Sequence, residues 1–184
     1  LMAGSYPDSV SVVEVIPRDG LQRFDEFVPT AEKVEIVDQL SQTGVAEIEV
    51  SSFTHENMVP NLRDAEAVFE GIDRESGVTY SALVPNKVGM ERALSVDVDK
   101  VGALITASEE YNSRNQNMTI EENVEEVRKI VSLGHDHGVT VEAGIAQAFF
   151  SPYEGLIPPE KTVSLVEAVL DAGVDEVSLA TSMG

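Results

Sequence analysis

Cysteine is absent from the 184 residues, which excludes disulfides, thiolate metal sites and a cysteine nucleophile within this chain. Basic residues are scarce. Lys and Arg number 12, five of them Lys, against 33 Asp and Glu, for a net charge of −21. So acidic a surface repels phosphate backbones and anionic headgroups, so neither nucleic acid nor a membrane is expected as a partner. No apolar run approaches the roughly 20 residues that span a bilayer. Leu1 to Ser9 show no basic patch ahead of an apolar core, so no secretion signal is expected. With no cysteine present, a cytoplasmic location fits. The acid excess has two readings: an ordinary acidic enzyme, or adaptation to high salt, where screening relieves self-repulsion.

What is present is ordinary for a globular domain: 42% apolar and 24% charged residues, and length enough for one sizeable core. One unit recurs along the chain, a short β-branched run, a polar loop and an amphipathic stretch. The runs predict strands over 10–16, 46–51, 79–84, 101–106, 139–145 and 176–180. The stretches predict helices over 30–43, 61–72, 87–96, 120–137 and 158–172. Thr30 and Thr119 stand where N-caps belong, and only Thr119, with Glu122 three residues on, makes a capping box. Gly44, Gly138 and Gly173 fall where helices end before strands. Strands alternating with helices imply a parallel sheet, open or closed into a barrel. Neither a glycine-rich dinucleotide fingerprint nor a phosphate-binding loop follows the first strand. Six strands fall short of an eight-stranded barrel, which needs about 250 residues.

Barrels of this kind place their chemistry at the carboxyl ends of the strands. Those ends carry Arg18 and Asp19, Glu49, Asn86, Ser108 and Glu109, Gln147, and Thr181. Asp is a hard oxygen ligand for magnesium or manganese. Arg beside it can hold an oxyanion or a carboxylate through two N–H groups. The same Arg-Asp-Gly is also an ordinary turn sequence. Glu49 interrupts Ile48-Glu49-Val50. Facing inward it needs a cation such as Arg18, because a lone buried carboxylate is costly; facing outward it is a solvated rim charge. Alternation leaves both cases open. His135-Asp136-His137 looks like a ligand pair, yet it precedes the fifth strand and reads as a solvated helix end away from Asp19.

Several ordered segments resemble one family. Glu14-Val15-Ile16-Pro17-Arg18-Asp19-Gly20-Leu21-Gln22 is similar to the opening signature of hydroxymethylglutaryl-CoA lyases. Ile48-Glu49-Val50-Ser51-Ser52-Phe53 resembles their second strand. Val59-Pro60, Val84-Pro85-Asn86, Ala107-Ser108-Glu109 and Ser151-Pro152-Tyr153-Glu154-Gly155 follow in the family's order, so the likeness runs from about Val12 to Gly184. Leu21 favours the lyases over related condensing synthases, which usually carry an acidic residue there.

The resemblance implies an α/β fold, a TIM (β/α)8 barrel of which residues 1–184, as one domain, cover about the first six units. It implies a carbon–carbon lyase that uses a divalent cation, magnesium or manganese, to cleave a 3-hydroxy-3-methylglutaryl-CoA-like thioester to acetyl-CoA and a keto acid. Asp19 would be a metal ligand, Arg18 and Glu49 catalytic, and Gln22, Asn86, Ser108, Glu109, Gln147 and Thr181 candidates for binding the acyl-CoA or hydroxy-acid substrate. The family's remaining ligands, a His-x-His pair and an Asn, lie on its seventh and eighth strands, so the isolated chain is expected to be inactive. A homo-oligomer, a dimer, is expected. Thr181 replaces an acidic residue of the family, and Gln147 and Ser151 replace cysteines. These departures keep open an aldolase or Claisen synthase acting on another substrate. A third reading is a non-catalytic subunit whose open sheet edges a partner must cover.

Overall fold

The computed structural model describes residues 7–182; the first six residues, where no secretion signal is expected, and Met183–Gly184 lie outside it. Six parallel strands form one sheet in sequence order: β1 (Val13–Glu14), β2 (Glu47–Ser52), β3 (Thr79–Val84), β4 (Lys100–Thr106), β5 (Thr140–Ala146) and, after a two-stranded hairpin of β6 (Phe150–Ser151) and β7 (Gly155–Leu156), β8 (Glu176–Leu179). The helices are α1 (Thr30–Ser41), α2 (Ala65–Gly71), α3 (Lys87–Ala93), α4 (Glu109–Gln116), α5 (Ile120–Asp136) and α6 (Pro159–Asp171).

The period of two in the strands divides the sheet into two chemically different faces. Ile48 and Val50, Tyr80, Ala82 and Val84, Val101, Ala103 and Ile105, and Val141, Ala143 and Ile145 are all buried. They form one core with Val37, Val68, Phe69, Met90, Val127, Ile130 and Val169 from the helices. The other face carries the sheet's polar side chains among apolar ones and curls around a cavity of about 350 Å³, where Glu47, Glu49, Lys100 and Glu142 stand beside Leu83 and Leu104. A barrel's interior begins on that face. Close helix–sheet approach depends on Gly134, where a Cβ would sit 2.6 Å from the Val141 side chain.

Local signals place most boundaries. The capping box at Thr119 forms as read, with the hydroxyl accepting from the Glu122 N–H and the Glu122 carboxylate accepting from the Thr119 N–H. Gly44, Gly138 and Gly173 take positive φ of 82°, 74° and 98° and stop α1, α5 and α6. Four expectations need correction. The first strand pairs over two residues only, because Pro17 and a wide turn over Ile16–Gly20 follow at once. Thr30 does not cap α1; Pro29 holds that position, and the Thr30 hydroxyl donates to Asp64 at 2.7 Å instead. The second helix starts late, at Ala65, after a tight turn over Pro60–Leu62. Residues 109–116, outside every expected helix, form α4. That helix has almost no apolar face and is held by polar contacts. Ser108 caps it, and the buried Asn112 amide donates to the Met118 and Thr119 carbonyls, 3.0 Å each.

Candidate active site

The turn over Ile16–Gly20 is a single π-helical turn at the carboxyl end of β1, of the kind found at functional positions. It presents Arg18 and Asp19 side by side. Residue 49 points to the polar face, which settles the alternation ambiguity: Glu49 Oε2 accepts from Arg18 Nε at 2.7 Å and lies 2.6 Å from Arg18 Nη2. Arg18 Nη1 donates to Asp19 Oδ1 at 3.2 Å. Burial pushes the Glu49 carboxyl above the usual carboxylate range, and the Arg18 guanidinium beside it works in the opposite direction. A guanidinium has five N–H groups. Glu49 and Asp19 occupy three of them, which leaves about two free for an incoming oxygen.

The other candidates lie apart from this constellation. Gln22 is exposed just past the turn. Asn86 caps α3, its side chain accepting from the Gly89 N–H at 3.0 Å. Ser108 is fully buried, donates to Glu154 at 2.7 Å and accepts from Ser151 at 2.9 Å. Glu109 stands exposed at the start of α4, its carboxylate accepting from the Ile120 N–H at 3.3 Å. Thr181 is exposed beyond β8. Gln147 is fully buried after β5 in the left-handed region, φ 51°, and neither amide atom has a hydrogen-bond partner among the described residues. An unpaired buried polar group costs about 1–3 kcal/mol. Gln147→Met is therefore expected to raise the urea midpoint; a lower midpoint would mean that the amide has found a partner. His135 and His137 lie at the opposite end of the sheet, His135 3.1 Å from Asp175 and His137 bonded to the Leu133 carbonyl.

The sequence reading missed the polar cluster beneath this site. Lys100 lies 3.1 Å from Glu47, 2.7 Å from Glu142 and 2.6 Å from Glu176, so one ammonium ties β4 to β2, β5 and β8. Burial works against that charge, yet the hydrogen bonds it donates to Glu142, Glu176 and Glu47 raise its pKa overall. The available signal was a charged residue within the first three positions of each of four strands: Glu47, Lys100, Glu142 and Glu176. The Asp19 carboxylate, its side chain 37% exposed, is an oxygen donor of the type a hard divalent cation takes. No group of three or more His, Asp or Glu gathers to hold a metal ion among the described residues, so the donor number is incomplete there. No helix described is long and apolar enough to cross a membrane.

Comparison with known proteins places this geometry. The model of the HMGL-like family matches residues 9–184. The chain is 39% identical over 179 residues to the hydroxymethylglutaryl-CoA lyase YngG of Bacillus subtilis, covering 97% of this chain and 60% of that protein. The crystal structure of a Bacillus subtilis HMG-CoA lyase superposes with a TM-score of 0.91 at 40% identity, over 95% of this chain and 58% of that one. An Acinetobacter baumannii HMG-CoA lyase in complex with coenzyme A and 3-methylmalate gives 0.90 at 35% identity, over 97% and 58%. The chain thus spans about three-fifths of the length of these relatives. Its six-stranded sheet is part of a TIM barrel. A match from residue 9 to the last residue, with backbones this alike, makes the chain a member of the HMGL-like family.

Proposed function

We propose that this chain carries half of the active site of a carbon–carbon lyase, which cleaves a 3-hydroxy-3-methylglutaryl-CoA-like thioester to acetyl-CoA and a keto acid. The observation that carries the reading is the Arg18 guanidinium, braced by Glu49 and open towards the sheet's polar face. In a retro-Claisen cleavage the tertiary hydroxyl loses its proton and the bond between its carbon and the thioester's α-carbon breaks. The electron pair becomes a thioester enolate, which is then protonated to acetyl-CoA. Negative charge on the enolate oxygen appears only as that bond breaks, so a donor fixed beforehand stabilises the transition state more than the substrate. Arg18 is such a donor. Glu49 holds its plane, and the free N–H groups are left to face the oxygen. A divalent cation, magnesium or manganese, with Asp19 among its ligands, would polarise the substrate's hydroxyl and carbonyl oxygens.

A second reading, a related aldolase or Claisen synthase on another acyl-CoA or hydroxy acid, draws on Gln147 and Thr181, which stand where the family carries other chemistry. One assay separates the two. The complete natural polypeptide is incubated with 3-hydroxy-3-methylglutaryl-CoA and magnesium or manganese, and acetyl-CoA and acetoacetate are quantified. Stoichiometric release of both supports the lyase; inertness towards this thioester with turnover of another acyl-CoA supports the second reading. The 184-residue chain alone is expected to release neither product.

A further inference from the structure

One buried cation in the chain takes no part in the site described above. Lys33, in the first turn of α1, is 2% exposed. Its ammonium donates to the Asn61 carbonyl and, at 2.5 Å, to Asp64 Oδ1. It also lies 4.3 Å from the centroid of the Phe27 ring, whose face Arg63 covers at 3.6 Å. Further bonds join the same segments: the Asn61 amide donates to the Phe24 carbonyl, and Thr30 donates to Asp64 Oδ2 at 2.7 Å. Phe24 and Phe27 belong to the loop that continues from Arg18 and Asp19. Asn61 and Asp64 close the loop that continues from β2, the strand of Glu49. The ammonium therefore stands between the two loops whose strands supply the two halves of the Arg18–Glu49 pair.

We propose that Lys33 is a positioning residue: its buried ammonium locks the loop after β1 to the loop after β2 and so sets the approach of Arg18 to Glu49. Stability by itself does not call for a charge here, since an apolar pair of similar volume stabilises a buried position at least as well as a salt bridge. What the ammonium adds is direction. It has three donors, and these fix one backbone carbonyl and one carboxylate on the far loop while the stem stays on α1. The kinetic part of this inference rests on the proposed lyase reading; the loop-locking part does not.

The test uses the complete natural polypeptide and two variants, Lys33→Met and the double variant Lys33→Met/Asp64→Leu, which leaves no unpaired buried charge. Amide exchange is followed in residues 22–29 and 53–64, with β4 as the measure of global stability, and turnover of 3-hydroxy-3-methylglutaryl-CoA is measured alongside. The double variant is expected to keep wild-type exchange in β4 and to exchange faster in both loops. Its kcat is expected to fall about 100-fold, the scale of a misplacement near 1 Å, with KM little changed. Wild-type protection of both loops in the double variant would overturn the locking role. Faster loop exchange with unchanged kcat would overturn the link to the Arg18–Glu49 pair. If the wild type turns over no acyl-CoA, the lyase reading fails, and the exchange data still decide whether Lys33 locks the loops.

Discussion

Arg18→Lys in the complete enzyme is expected to lower kcat by about 100- to 1000-fold, the effect of losing one preorganised donor to a developing oxyanion. The conservative replacement is chosen because it keeps the charge and removes the fork. A guanidinium reaches Glu49 through Nε and Nη2 and Asp19 through Nη1 at the same time. An ammonium is a compact point charge on a flexible stem and cannot span both carboxylates in that plane. Glu49 then loses part of the attraction that opposes its burial, so its carboxyl, already raised, rises further. The pH–rate profile of kcat/KM should accordingly move its acidic limb to higher pH in the variant. Wild-type kcat with an unmoved profile would remove Arg18 from the chemistry and leave it a structural partner of Glu49. Steady-state kinetics between pH 5 and pH 9 decide the matter.

Lys100→Met is expected to destabilise the fold by about 3–5 kcal/mol, the penalty for breaking a buried ion pair by removing one partner. Methionine fills the volume of the stem, so the loss is electrostatic. Glu47 and Glu142 are mostly buried, with side chains 14% and 22% exposed, and would face each other with no cation between them. Glu176, 55% exposed, is screened by water and adds little. The pH dependence carries a definite sign. Burial alone would raise the Glu142 carboxyl, but hydrogen bonds from Lys100 and Ser178 hold it below its ordinary value of 4.5. A carboxyl depressed by folding stabilises the protein above its unfolded pKa, and that contribution drains as the pH falls through the folded value. In Lys100→Met the depression disappears and crowded carboxylates resist ionisation. The gap between wild type and variant should therefore be widest near neutrality and shrink below pH 4.5. Urea titrations at pH 7 and pH 4 measure it. Equal midpoints at pH 7 would mean that the cluster contributes nothing to stability.

The local signals and the long-range ones divide cleanly along the chain. Thr119 and Glu122 are three residues apart and form their capping box with no help from elsewhere. Gly44, Gly138 and Gly173 stop helices because only glycine adopts their backbone without strain. Arg18 and Asp19 are placed at a strand end by the chain immediately around them. Thr30 shows where such reasoning fails. It has the residue type and position of a cap, but Asp64, 34 residues away, takes its hydroxyl. In α4 the failure has the opposite sense. Its sequence has no apolar period, and the helix depends on Asn112 reaching carbonyls and the Asn123 amide that only the folded loop brings near.

The sequence alone therefore determined the order of the six sheet strands and of five of the six helices, the helix starts and stops set by near neighbours, and the location of Arg18 and Asp19 at the sheet's carboxyl end. The tertiary structure alone decided that Glu49 faces Arg18, that Lys100 gathers carboxylates from three other strands, and that Lys33 joins two loops. The physical reason is range. Caps and turns are settled by bonds within a few residues, whereas a buried charge is tolerable only with a partner. The partners of Glu49, Lys33 and Lys100 lie 28 to 76 residues away and become neighbours through strand register and loop packing.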